Sequence, residues 1–264
     1  MASSKSWERE QLRSFVCEYF TVHEVLSQTA QIASQRSEWR LSTDSDHQII
    51  SGLTGCSAEL IGLVNDISDL AEGNCVSETS DNTRRLSETC SFQDSQHSSI
   101  QKDLERRLHH LKQSVPVWEQ LSTAADHGPP RSEMFRTIAE TKRLAALIYY
   151  YSRVRLFTPY DAPIERATTH ILRLLPKLPP SETALLWPLF IAGSLGVRWD
   201  RDQDRKVVLE RLNVLQHKRQ LGNVRKVRQI IEEVWKQRDL LGKAFDHRHW
   251  KEIVSRHGPG ISLA

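Results

Sequence analysis

The chain has 264 residues, 26% of them charged and 39% hydrophobic, with 36 Lys and Arg against 33 Asp and Glu for a formal net charge of +3. A chain of this length buries roughly 70–75% of the surface its unfolded form exposes, so it needs no disulfide or metal staple. The near-neutral balance excludes a global field that would demand nucleic acid or a membrane, and the amino terminus, MASSKSWEREQ, lacks the apolar core of a secretory signal.

Apolar residues recur at three- and four-residue intervals and no alternating strand pattern stands out, so the predicted fold is all-α with no substantial sheet. The first predicted helix covers about residues 7–34. Leu12, Phe15, Tyr19 and Phe20 give it an apolar side, which Val22, Val25 and Leu26 continue; a polar loop follows at Ser42–Asp46. The second helix begins at Ser57, whose hydroxyl suits an N-cap. It carries Leu60, Val64, Ile67 and Ala71 on one stripe, and Gly73 and Asn74 stop it. Residues 73–99 are rich in Ser, Thr, Asp, Glu and Asn. They bury too little to offset their ordering entropy, which predicts a flexible polar linker. The chain thus divides into a first helical portion (1–72), that linker (73–99) and a main helical portion (100–264).

Helix returns over 100–113 with Leu104, Leu108 and Leu111 on one side, and Pro116 ends it. The run from His127 to Arg131, HGPPR, is a break. Ser132 then caps a long helix to about Leu156. Its middle, LAALIYYYSRV, is apolar around most of its circumference, which marks a helix enclosed by others. Tyr149, Tyr150 and Tyr151 read as core with their hydroxyls satisfied at its rim. A shorter helix over 164–175 is entered through Asp161 and Pro163, and Pro179 and Pro180 separate it from one over 181–197. The longest apolar run, Leu185–Val197, is shorter than the ~20 residues a membrane span needs and contains Pro188, so it reads as a core helix. Its Gly193 and Gly196 permit close approach by a neighbour. Asp200 caps a helix with Val208, Leu212 and Leu215 on one face; Gly222 and Asn223 form the turn as C-cap and N-cap. The next helix carries Val224, Val227, Ile231 and Val234, with Glu232 and Lys236 spaced to pair. The two make a C-terminal hairpin, and a short helix over 249–255 closes the chain.

Catalytic motifs are absent: there is no nucleophile elbow, phosphate loop or His-Glu-x-x-His zinc helix. Cys17, Cys56, Cys75 and Cys90 have no Cys-x-x-Cys spacing and read as reduced thiols. His247, His249 and His257 have no carboxylate or thiol at ligand spacing, and the neighbours His109 and His110 point in different directions. Asp200, Asp202 and Asp204 lack the later ligands of a calcium loop and favour a helix start instead. No cofactor or metal is predicted for this chain. Residues 198–228 hold ten Lys or Arg against four Asp or Glu, but acids and core positions interleave with them, so they read as wet faces of an amphipathic hairpin rather than a DNA-reading surface. Trp187, Phe190 and Trp199 are the candidates for an effector pocket or interface, with plain core as the competing reading.

WPLFIAG (Trp187–Gly193), GNVR (Gly222–Arg225) and EVW (Glu233–Trp235), preceded in order by TVHEVLSQTA (Thr21–Ala30), GCSAELIGLVNDISDLA (Gly55–Ala71) and LAALIYYYSRV (Leu144–Val154), resemble the fungal-specific transcription factor domain over about residues 12–254. The resemblance implies an all-α regulatory domain, in the nucleus, that is not an enzyme. It implies partners in the transcription machinery or a paralogous regulator, a homodimer, or a small-molecule effector, and no membrane. Members typically carry six cysteines holding two zinc ions upstream. This sequence has no such set, so zinc and direct DNA contact are expected only from a module absent here. Ser194 also stands where the family pattern suggests Cys. Two alternatives remain: a truncated or stand-alone member acting through protein contacts, and a helical enzyme, for which the metal-binding acidic clusters of terpenoid synthases are missing.

Overall fold

The computed structural model describes residues 2–30, 47–79, 90–117, 130–219, 222–257 and 261–263. Among these the chain forms α1 (Ala2–Gln28), α2 (Ala58–Thr79), α3 (Cys90–His110), α4 (Arg131–Arg153), α5 (Ala162–Leu174), α6 (Leu186–Ile191), α7 (Asp202–Arg219), α8 (Gly222–Leu241) and α9 (His247–Arg256). The fold is all-α: the described residues contain no strand, only isolated bridges from Ile49 to Ser114 and from Ile50 to Ser57.

α4 is the central pillar. Its residues Leu144–Arg153 are all buried, and α2, α3, α5 and α6 pack around it. A helix apolar at almost every bearing can hide its surface only by enclosure. Its tyrosine hydroxyls reach polar partners at the core rim, as the sequence suggests. Tyr149 meets Ser68 at 3.2 Å, Tyr150 donates to the Gln101 carbonyl at 2.8 Å, and Tyr151 donates to Glu105 at 2.7 Å while meeting His109 Nε2 at 2.9 Å. One buried apolar cluster runs from Val22 to Leu263.

Several boundaries differ from the sequence expectation. α1 starts before Trp7 and ends at Gln28, where Thr29 Oγ1 turns back to the Leu26 carbonyl at 2.6 Å. α2 passes through Gly73 and Asn74 to Thr79; one interior glycine costs about 1 kcal/mol, too little to end a helix that packs on its neighbours. α3 begins at Cys90, so Cys90–Ser99 are helical rather than linker, and it ends at His110, short of Leu111. The remaining linker residues, 80–89, lie outside the described residues, as do 31–34 and the polar loop at Ser42–Asp46. α4 starts at Arg131 behind Pro130, and Ser132 lies inside the helix without capping it. The helix stops at Arg153, three residues early, because Leu156 takes a left-handed φ of 54°. The helix expected over 181–197 is three pieces: a 3-10 turn Thr183–Leu185, α6, and one π turn Ala192–Gly196. Pro188 has no N–H to give, and Ser194 Oγ donates back to the Phe190 carbonyl at 2.6 Å.

Asp200 does not cap α7; it holds Arg198 at 2.6 Å, and α7 starts two residues later. Gly222 and Asn223 are the first residues of α8 rather than a C-cap and N-cap pair. Glu232 pairs with Arg228 at 2.8 Å, one turn back, instead of with Lys236. α9 begins at His247 because Asp246 is the better cap, accepting from the backbone N–H groups of Arg248 and His249.

Candidate functional site

Trp187, Phe190 and Trp199 do not come together. Trp187 and Phe190, on α6, are buried in the central cluster. The Trp187 indole N–H donates to Thr29 Oγ1 at 3.0 Å, which ties α6 to the end of α1. Two glycines let other elements close on the π turn. A Cβ on Gly193 would sit 2.9 Å from Ile231 Cδ1, and one on Gly196 would collide with Thr168. Trp235 and Arg238 of α8 then reach this segment's carbonyls: the Trp235 indole donates to Gly193, and the Arg238 guanidinium to Ser194 and Val197, all at 2.8 Å. Arg238 is wholly buried against the Phe245 ring, and burial holds its pKa below the ordinary arginine value.

Trp199 is the exception, 51% exposed beside Tyr160, which is also exposed. The Arg198 guanidinium lies over the Tyr160 ring at 4.8 Å and bridges Asp200 and Glu165. This gives an exposed Trp and Tyr with an Arg whose charge is already met, a composition common at protein contacts.

Part of the basic segment is neutralised in place, while Lys218, Arg225 and Lys226 stand exposed. Arg201 pairs with Glu165, Arg205 with Asp239, Lys206 with Glu210 and Arg228 with Glu232. Arg211, expected on a wet face, is instead buried and donates to the Leu175 and Leu178 carbonyls.

His249 meets Asp246 at 2.9 Å and His257 meets Glu233 at 2.8 Å; His109 and His110 are both exposed. Among the described residues no three His, Cys, Asp or Glu side chains could together hold a metal ion, and no helix is long and apolar enough to cross a membrane. Cys56 is a buried free thiol whose pKa burial pushes up. Nearby, the buried Lys142 ammonium donates to the Thr54 carbonyl at 2.5 Å and pins the turn before α2. In that turn Gly55 holds a φ of 68°, and a Cβ there would strike Ile138.

The apolar side expected on α1 is only half core. Val22, Val25 and Leu26 are buried, but Leu12 (63%), Phe15 (51%) and Phe20 (61%) stand exposed together with Val16 and Tyr19. The periodicity was visible in the sequence; that no described part of the chain covers it was not.

The family model for the fungal specific transcription factor domain matches residues 2–264. No curated protein and no solved structure matches the chain.

Proposed function

The chain belongs to the fungal-specific transcription factor domain family, and from this we propose that it regulates transcription in the nucleus, as a helical regulatory domain that works through protein contacts and leaves DNA to another module. The whole-length family match carries the reading. The surface supports it: apolar and aromatic side chains stand exposed at Trp199, Tyr160 and along α1, while Arg201, Arg205, Arg211 and Arg228 of the hairpin region are engaged by carboxylates or backbone carbonyls and Lys218, Arg225 and Lys226 stand exposed. Exposed aromatic side chains are the anchors of protein contacts, so they favour a protein partner in the transcription machinery or a paralogous regulator. No catalytic role and no cofactor belong to this reading.

The test is a fusion of the chain to an unrelated DNA-binding domain in a fungal reporter strain. Several-fold activation or repression, weakened by Trp199→Ala at equal protein level, supports the proposal. A stable, nuclear fusion that leaves the reporter unchanged overturns it.

A further inference from the structure

We propose that the solvent face of α5 is a docking strip for an acidic helical segment of a partner protein, whose carboxylates stand one helical turn apart. The inference rests on the reading that the chain works through protein contacts, and it names the chemistry of one such partner.

Every fully exposed position of α5 after Ala162 carries Arg or His: Arg166, His170 and Arg173. Steps of four and three residues place them within an arc of about 60°, about 6 and 4.5 Å apart along the axis. The exposed Lys177 continues the row on the 3-10 turn Leu175–Lys177 that follows. The opposite face is set in the core by Ile164, Ala167, Ile171 and Leu174. The row therefore stands on a held helix.

The row is unneutralised among the described residues. The one acid of α5, Glu165, is turned aside to Arg198 and Arg201 at 3.1 and 3.2 Å, and Arg166 Nε donates to the Ala162 carbonyl of its own helix at 3.2 Å. Exposed cations on other helices have acids beside them: Arg106 has Asp103, Lys206 has Glu210 and Arg228 has Glu232. The helix dipole favours Arg173 and Lys177 near the C-terminal end but does not account for Arg166 in the second turn. Like charges three and four residues apart work against the helix that carries them. Opposite charges on a partner would remove that penalty.

Spacing and the neighbouring charges select protein over nucleic acid. An acidic helix with Asp or Glu at i, i+4 and i+7 repeats the same steps, so its carboxylates fall opposite the cations one for one. Arginine matches a carboxylate with two parallel hydrogen bonds. A DNA duplex instead carries one negative charge per about 1.7 Å of its axis. It would lay phosphates against Glu165 and the exposed Asp200, which Arg198 holds at the start of the strip.

Fluorescence anisotropy with the full chain tests this. The probes are a labelled alanine-rich helical peptide with Glu at i, i+4, i+7 and i+11, the same residues in shuffled order, and a short DNA duplex of random sequence. The registered peptide should bind saturably, several-fold tighter than the shuffled one and tighter than the duplex, and weaken as salt is raised. Arg166→Glu with Arg173→Glu should weaken it by about tenfold or more. Both side chains are exposed, so far-UV circular dichroism and thermal midpoint should stay unchanged. Arg166→Gln with Arg173→Gln should weaken binding several-fold, and it carries the test if the charge reversal disturbs folding. A registered peptide that does not bind, or binds indifferently to these substitutions, overturns the proposal. Equal binding of the shuffled peptide overturns the one-turn register, and tighter binding of the duplex overturns the choice of a protein. A bound peptide with a silent reporter sinks only the transcriptional reading, and an active reporter with no peptide bound sinks this inference alone.

Discussion

Trp187 and Trp199 are twelve residues apart and play opposite parts. Trp187 fills the core and spends its indole N–H on Thr29, while Trp199 lies half in water. Trp187→Ala should cost about 3–5 kcal/mol in urea unfolding, and Trp187→Phe about 1 kcal/mol of hydrogen bonding plus some packing. Trp199→Ala should stay within about 0.5 kcal/mol of wild type; a Trp187→Ala protein of unchanged stability would remove that side chain from the core. His23 adds a pH dependence. Burial, and next the Lys142 charge, hold its pKa below the usual value. The folded state then favours the neutral ring, so the unfolded chain takes up the proton first as pH falls. The stabilisation is complete above about pH 6.5 and is lost as pH drops through the folded value. His23→Gln should flatten this limb of the stability–pH curve, measured by urea midpoints from neutral to mildly acid pH.

At the scale of elements, α4 shows what a pattern can and cannot specify. A run apolar at every bearing leaves no solution but enclosure, so the central helix and its rim-bonded tyrosines were legible in the sequence. The α6 region was not, because its interruption depends on Pro188 and on a Ser194 back-bond that periodicity does not register. How much of the α1 face is core was not legible for a different reason: spacing reports that a surface favours cover but not whose surface supplies it. The trade of surface charge for backbone caps at Arg211 and Arg238 was also hidden, since composition cannot tell a wet arginine from one buried against carbonyls. The tyrosines of α4 make an alkaline prediction. Burial, reinforced by Glu105, pushes Tyr150 up to about 12 and raises Tyr151 further. Between about pH 10 and 12 the unfolded tyrosine ionises and the folded one does not, so stability is full below pH 10 and drains away as pH rises. Tyr150→Phe should lose about one proton from that alkaline slope in urea titrations, and an unaltered slope would mean that Tyr150 ionises freely in the fold.

For the whole molecule, the last residues of the chain return to the end of α1, and the tail and the first turns of α1 contribute unequally. Ile261 and Leu263 are both buried in the central cluster, and Ser262 between them holds His23 of α1. A full burial of such a side chain contributes about 1.5–3 kcal/mol. Deleting residues 261–264 should therefore cost about 3–6 kcal/mol, a large share of the roughly 5–15 kcal/mol that holds a domain together. The exposed half of α1 contributes no such burial, so Leu12→Ser with Phe20→Ser should leave the unfolding midpoint nearly unchanged while removing the apolar face. Tryptophan fluorescence can follow both, because Trp187, Trp235 and Trp250 are buried near α6, α8 and α9. A large loss of midpoint on removing the tail, beside an unmoved midpoint on stripping α1, would separate the part of the chain that makes the fold from the part that the fold holds out for a partner. Equal losses from the two would mean that the first turns of α1 belong to the core after all.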